Sequence, residues 1–377
     1  MPQLAASPAT KTTQPPAKPR RGRWLRRFGL LLASLLVTWL LGEVAVLLVF
    51  GEQVKFPRRV VEAPWGLRYN QPHAQYRQKS ADGTWQFRIN GQGMRDDREF
   101  AHQKPPGTLR IVSLGDSFTA GYEVDQKATF SAVLESELRV AGKKIEVLNA
   151  GVSGFSNAEQ CLYLERELLN YQPDVVLVSF FGNDLVDNVR TGLFKFEAEQ
   201  LVPWNERYVP AGRLADFLNK NSFFNFLSER SNLFVFAKER LTLLLKRDMV
   251  QENERNLAAA DDKAADDETT SQRRLAAAIF ERIYQKVRER GVPLVIHSIP
   301  TQFGPPDRPL TELFPLAEFE TQRPGLLFVP TKKVLEPLVG KELLYHQRSH
   351  FHLTPRAHAL AGKALAQSIL AAELLSK

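Results

Sequence analysis

Arg110-Ile-Val-Ser-Leu-Gly-Asp-Ser-Phe-Thr119 (RIVSLGDSFT) decides the architecture. Arg110–Leu114 is a short apolar run of strand length, Gly115 ends it, and Asp116 or Ser117 is suited to cap a helix. A strand that turns directly into a helix is the building unit of a parallel sheet, because parallel neighbours need a crossover connection. The rhythm repeats. Ile145–Leu148 (IEVL) precedes Asn149-Ala150-Gly151, Asp174–Phe181 (DVVLVSFF) precedes Gly182, and Pro293–Ile299 and Leu326–Val329 supply two more runs. Helices are expected between them at about 128–140, 157–170 and 273–290, with a last one at about 355–375. In 273–290, Leu275, Ile279, Ile283 and Val287 recur at four-residue spacing, and Gly291 follows as a stop. The pattern predicts an α/β domain with a parallel sheet of about five strands, covered on both faces. Function in such sheets sits beyond the carboxyl ends of the strands.

Two segments interrupt the rhythm and form an expected insertion, 191–272. Residues 191–245 carry eight phenylalanines and read as loops plus helices, either a cap over a pocket or ordinary packing on the sheet. Residues 251–272 hold seven acids, two bases and no aromatic residue, the composition of a solvated linker rather than a metal-binding tract.

The chain of 377 residues has a net charge of +8, which by itself suggests a polyanion binder. Seven of those charges lie in residues 1–27, a proline-rich stretch without an acid, so the remainder is nearly neutral and nucleic-acid binding loses its support. Phe28–Phe50 follows, apolar except for Glu43, and long enough to cross a bilayer as a helix. Basic residues ahead of it predict a cytoplasmic N-terminus and a periplasmic or extracytoplasmic domain, held by a single uncleaved span in the inner (plasma) membrane. A cleaved signal peptide would have a shorter apolar region and a small-residue cleavage site. Residues 51–105 then read as a linker and a β-hairpin lead-in, with Asp82-Gly83 as turn signal, and 106–377 as the α/β domain. The single cysteine, Cys161, excludes an internal disulfide and reads as a helix core residue.

Four blocks lie where the sheet would gather its loops: Gly115-Asp116-Ser117, Asn149-Ala-Gly-Val-Ser-Gly154, Gly182-Asn183-Asp184 and His352-Leu-Thr-Pro355. Their types and order resemble the SGNH (GDSL-type) hydrolase superfamily, over about 106–190 and 292–377. Phe87–Asp96 is similar to the lead-in of its membrane-tethered bacterial members. The resemblance implies a three-layer α/β/α, flavodoxin-like fold. It also implies Ser117 as nucleophile, His352 as general base, and Gly154 and Asn183 as oxyanion donors beside the Ser117 N–H.

The fourth block departs from the family pattern. Where an Asp normally stands three, sometimes two, residues before the histidine, this chain has Ser349 and His350, and no acid occurs from Leu343 to Ala372. Three readings stay open: a Ser–His dyad with the ring held by Ser349, His350 or a backbone carbonyl; an acid supplied from elsewhere in the fold; or a site that binds without turnover. His297 is expected as a buried hydrogen-bonded residue near the rim. The cluster of His346, His350, His352 and His358 lacks the acid or cysteine that would complete a metal site. No phosphate loop or dinucleotide fingerprint is present, so no metal and no cofactor is expected. The resemblance points to an esterase or deacylase acting through an acyl-serine on an acylated small molecule or glycan of the cell envelope. An O-acyltransferase and a non-catalytic binding module are its rivals, and protein partners stay open.

Overall fold

The computed structural model describes residues 21–197, 200–210, 212–244, 247, 268–314, 316 and 319–375. The first twenty residues and most of the acidic tract lie outside these. Helix α1 (Arg21–Phe50) is followed by a lead-in of two antiparallel pairs, β1 (Val60–Glu62) with β2 (Arg68–Asn70) and β3 (Gln75–Ser80) with β4 (Gly83–Arg88). The sheet domain continues through β5 (Leu109–Leu114), α2 (Ser117–Ala120), α3 (Phe130–Val140), β6 (Ile145–Asn149), α4 (Asn157–Arg166), β7 (Val175–Phe180) and α5 (Asp184–Thr191). The insertion comprises a small hairpin, β8 (Phe194–Glu197) and β9 (Gln200–Pro203), then α6 (Gly212–Lys220), α7 (Ser222–Arg230) and a helix α8 at 232–244. Helix α9 (Glu268–Arg288), β10 (Leu294–Ser298), β11 (Leu326–Pro330), α10 (Lys332–Leu335) and α11 (Pro355–Ala371) complete the chain.

Five strands form one parallel sheet in the order β6-β5-β7-β10-β11. The expected α/β architecture is present, each predicted run supplying a strand. Alternation along the central strands explains the layers. On β7, Val175 and Leu177 face the cluster formed by Phe130, Leu134, Ala361 and Leu365 of α3 and α11. Val176 and Val178 face the opposite cluster, with Leu162, Ile279 and Ile283 of α4 and α9. Fully burying one such aliphatic side chain contributes about 1.5–3 kcal/mol, so both faces must be covered. Strand order reverses between β5 and β7, the point where such sheets open a crevice.

The lead-in packs on the sheet domain: Phe56 joins Ala74, Tyr76, Phe87 and Ile89 in a small core that also takes in Ala120 and Tyr122 from the end and exit of α2. Enough apolar surface exists here to fix the segment against the sheet domain. The β3–β4 turn is Ala81–Asp82, with Ser80 opposite Gly83.

Helix α1 is apolar enough over Gly22–Phe50 to cross a membrane. Its one acid, Glu43, is satisfied within the chain by the Ser231 hydroxyl and, at 2.9 Å, the Asn232 N–H.

Candidate active site

Ser117 opens α2 directly beyond β5, where the Asp116 carboxylate caps the helix by accepting the Phe118 N–H at 2.9 Å. His352 comes from the other end of the chain. Thr354 caps α11 through the Ala357 N–H, and Pro355 occupies its first turn without losing a needed donor. Two residues earlier, the His352 imidazole is buried, with Nε2 2.9 Å from Ser117 Oγ.

The third member is one that no spacing rule could place. His352 Nδ1 lies 3.1 Å from Glu123 Oε2. Neither Ser349 nor His350 makes this contact, and the physical reason lies in the turn after α2. Gly121 leaves the helix in the left-handed region, and Glu123 itself has φ 63°. That backbone is uncommon for a side chain with a Cβ and costs on the order of 1–3 kcal/mol, yet it points the carboxylate at the histidine. The lead-in hairpin holds it there: Ser80 Oγ donates to Glu123 Oε1 at 3.1 Å, and the Glu123 N–H donates to Gln78 Oε1 at 3.4 Å. The sequence carried a faint signal, an acid set between Tyr122 and Val124, in a stretch too apolar for solvent. Burial acts to raise the Glu123 carboxyl, but the hydrogen bond with His352 and the attraction to that ring once protonated outweigh it and hold the group below its ordinary range. Burial pushes His352 below the ordinary histidine value against the opposing pull of Glu123, leaving a neutral ring that can accept a proton.

On the other side of Ser117, Gly154 stands at φ 70°, a conformation natural only to glycine. Arg68 of β2 donates from Nη1 to the Ser153 carbonyl at 3.3 Å and from Nη2 to the Gly154 carbonyl. Because carbonyl and N–H of one trans peptide point oppositely, gripping the Ser153 carbonyl sets the direction of the Gly154 N–H. That N–H has no hydrogen-bond partner among the described residues. Arg68 is fixed in turn by Glu159, at 2.7 and 3.1 Å, and the Arg190 guanidinium reaches the Gly154 carbonyl at 2.9 Å. Gly151 differs, its N–H being taken by Asn149 Oδ1 at 3.1 Å. Asn183 faces the same space and donates from Nδ2 to Asp187 Oδ2 at 3.1 Å. Asp116 and Asp184, buried below, are both pushed above the ordinary carboxylate range by burial and by neighbouring negative charge.

Ser117, Asn183, His350 and His352 open into one pocket of about 700 Å³, walled also by Phe118, Phe181 and Tyr122. Val235, Phe236 and Leu243 of α8 in the insertion form another part of its wall, together with Gln53, Val54, Arg58 and Phe303.

Other candidates fall outside it. His297 is fully buried, with Nδ1 3.2 Å from Ser179 Oγ and Nε2 against the Thr331 hydroxyl; burial pushes it down to about 3. His358 accepts the Phe130 N–H at 3.1 Å and is also buried. Cys161 lies in the core, its thiol pushed up by burial. Asp82, Glu123 and His346 bring ligand atoms within 4.8 Å of one another. Arg348 already engages Asp82, and His352 with Ser80 engages Glu123, so the two carboxylates have side-chain partners within the chain.

Residues 113–222, under a third of the chain, match the GDSL-like Lipase/Acylhydrolase family. This segment carries the GDSL-like lipase/acylhydrolase signature. It contains Ser117, Gly154 and Asn183, while His352 lies beyond it. An arylesterase of Vibrio mimicus is 29% identical over 75 residues, 20% of this chain. The thioesterase 1/protease 1/lysophospholipase L1 of Escherichia coli is 33% identical over 90 residues, 24% of this chain. In each case the aligned part of this chain spans only 38% of the relative's length. Among solved structures, a family 3 carbohydrate esterase of Clostridium thermocellum is 14% identical with a TM-score of 0.36, covering 71% of this chain and 98% of its own.

Proposed function

We propose that this chain is a membrane-anchored serine esterase of the SGNH type that cleaves acyl esters through an acyl-serine. The observation that carries the reading is the relay from Ser117 through His352 to Glu123, with contacts of 2.9 and 3.1 Å. Ser117 Oγ attacks the ester carbonyl while His352 Nε2 takes its proton. Glu123 keeps the ring in the tautomer with its proton on Nδ1 and stabilises the imidazolium that forms. The oxyanion is received by the N–H groups of Ser117 and Gly154 and by the Asn183 amide. His352 then returns the proton to the leaving alkoxide, and water repeats the sequence on the acyl-enzyme. The binding-module alternative rested on the lack of an acid near His352, and Glu123 removes that motive. Helix α1, with the basic run before it on the cytoplasmic side, would hold the domain at the outer face of the plasma membrane, in reach of envelope esters.

The test compares the full chain with Ser117→Ala on a chromogenic short-chain acyl ester, an acceptor glycan being added in parallel. Ester release lost in the variant, with fluorophosphonate labelling at Ser117 only in the unaltered chain, is the expected result. Absence of both release and labelling in the unaltered chain would overturn the proposal.

A further inference from the structure

The three helices of the insertion form one connected layer that is fastened to α1. Phe224 of α7 meets Phe234 of α8 edge-on at 5.3 Å, and Asn225 Nδ2 of α7 donates to the Asn219 carbonyl of α6 at 2.8 Å. Helix α8 lies along the end of α1 at three points. Glu43 accepts from Ser231 and Asn232 at the α7–α8 corner, Phe50 stacks on Phe236 at 4.6 Å, and Gly42 leaves space for Leu233, whose Cδ2 would stand 2.7 Å from an added Cβ. Glu43 precedes Phe50 by seven residues, about 10 Å of helix, so the α7–α8 corner sits at that depth below the end of the apolar helix.

What the layer shows to the outside is apolar. Leu214 and Phe217 on α6, and Phe223 and Phe226 on α7, are more than half exposed, each pair three residues apart and therefore on one face of its helix. The ends of these helices carry exposed basic residues, Lys220 and Arg230. Apolar faces rimmed by Lys and Arg are the make-up of helices that lie in a lipid interface.

We propose that the α6–α7 face rests in the membrane leaflet into which α1 emerges, so that the Ser117 pocket receives its ester from that leaflet. The inference rests on the anchoring role of α1 proposed above. Continuity with α1 selects lipid over a protein partner, because the α6–α7 layer is joined through the α7–α8 corner to the only membrane-crossing candidate among the described residues. Gln53 and Val54, just past α1, line the pocket together with Ser117, which places its mouth on the same side.

The test uses the full chain in vesicles of equal parts phosphatidylcholine and phosphatidylglycerol. In a Cys161→Ala background, an environment-sensitive fluorophore is placed through Phe217→Cys, Phe226→Cys, Leu36→Cys or, as aqueous reference, Val140→Cys. Quenching by nitroxide-bearing lipids is expected at 217, 226 and 36 and not at 140. Quenching at 36 without 217 and 226 overturns the leaflet contact alone; no quenching at 36 overturns the anchor and the contact with it. In parallel, Phe217→Glu with Phe226→Glu is expected to keep turnover of a soluble short-chain ester while losing at least tenfold on a lipid ester presented in the vesicles. Equal loss on both esters, or on neither, also overturns the proposal.

Discussion

Replacing Glu123 by glutamine tests the relay without changing its shape. The amide keeps the volume of the carboxylate and can still hydrogen-bond to Ser80, so the turn and its φ of 63° are expected to persist. What disappears is the negative charge 3.1 Å from His352 Nδ1. At about 4 Å between charge centres and an effective dielectric of about 20, its attraction for the imidazolium formed during attack is about 4 kcal/mol. Each ~1.4 kcal/mol is a factor of ten, so kcat on a soluble ester should fall by about a thousandfold. The KM should change little, because Glu123 does not line the pocket. The pH profile adds a signed prediction. His352 works as the neutral ring, so activity is present above its pKa and lost below it, and its lowered pKa puts the acidic limb below the ordinary histidine value. Because Glu123 pulls that pKa upward, its loss should move the limb still further toward acid while the plateau drops. Steady-state kinetics across pH 4–9, with melting temperatures as a folding control, make the measurement. A plateau within about threefold of the unaltered chain, or a limb displaced to higher pH, would refute the assignment of Glu123.

Ser80→Ala removes one acceptor bond of that carboxylate and should lower kcat several-fold without altering the melting temperature by more than a few degrees, read from the same assay. Glu159→Gln takes from buried Arg68 its ionic partner; a loss of about 3–5 kcal/mol in denaturant unfolding is expected, with any folded fraction impaired in kcat through the Gly154 peptide. Glu43→Ala should destabilise the contact between α1 and the α7–α8 corner by about 1.5–3 kcal/mol, seen as faster proteolysis near Ser231 in detergent.

The sheet was legible because five apolar runs each ended at a glycine or a turn, and burial on both faces leaves such runs no other place. Ser117 and His352 were singled out by the resemblance of their blocks, in that order, to the SGNH pattern; a serine or histidine near a helix start would by itself say little. Glu123 was not. It depends on a left-handed turn and on a hairpin 43 residues earlier, and neither leaves a periodic trace. Arg68 was missed for a related reason: one arginine among the chain's 50 basic residues has no mark of burial until Glu159 is seen beside it. The insertion's phenylalanines were visible as composition, but their division between pocket wall and outer face required the helices to be placed.

The lead-in hairpin also bears on the order in which the protein can become active. Ser80 and Asp82 are made early, yet Asp82 closes on Arg348, 266 residues later, and the histidine that Glu123 orients lies beyond that again. Contacts this distant in sequence form late, since a long loop must close before they return any stabilisation. On the proposed mechanism, a partly made chain thus carries the proposed nucleophile, Ser117, without the base, His352. On that mechanism, esterolytic competence should arrive in one step with the docking of the C-terminal helix, and every incomplete form of the chain should lack it.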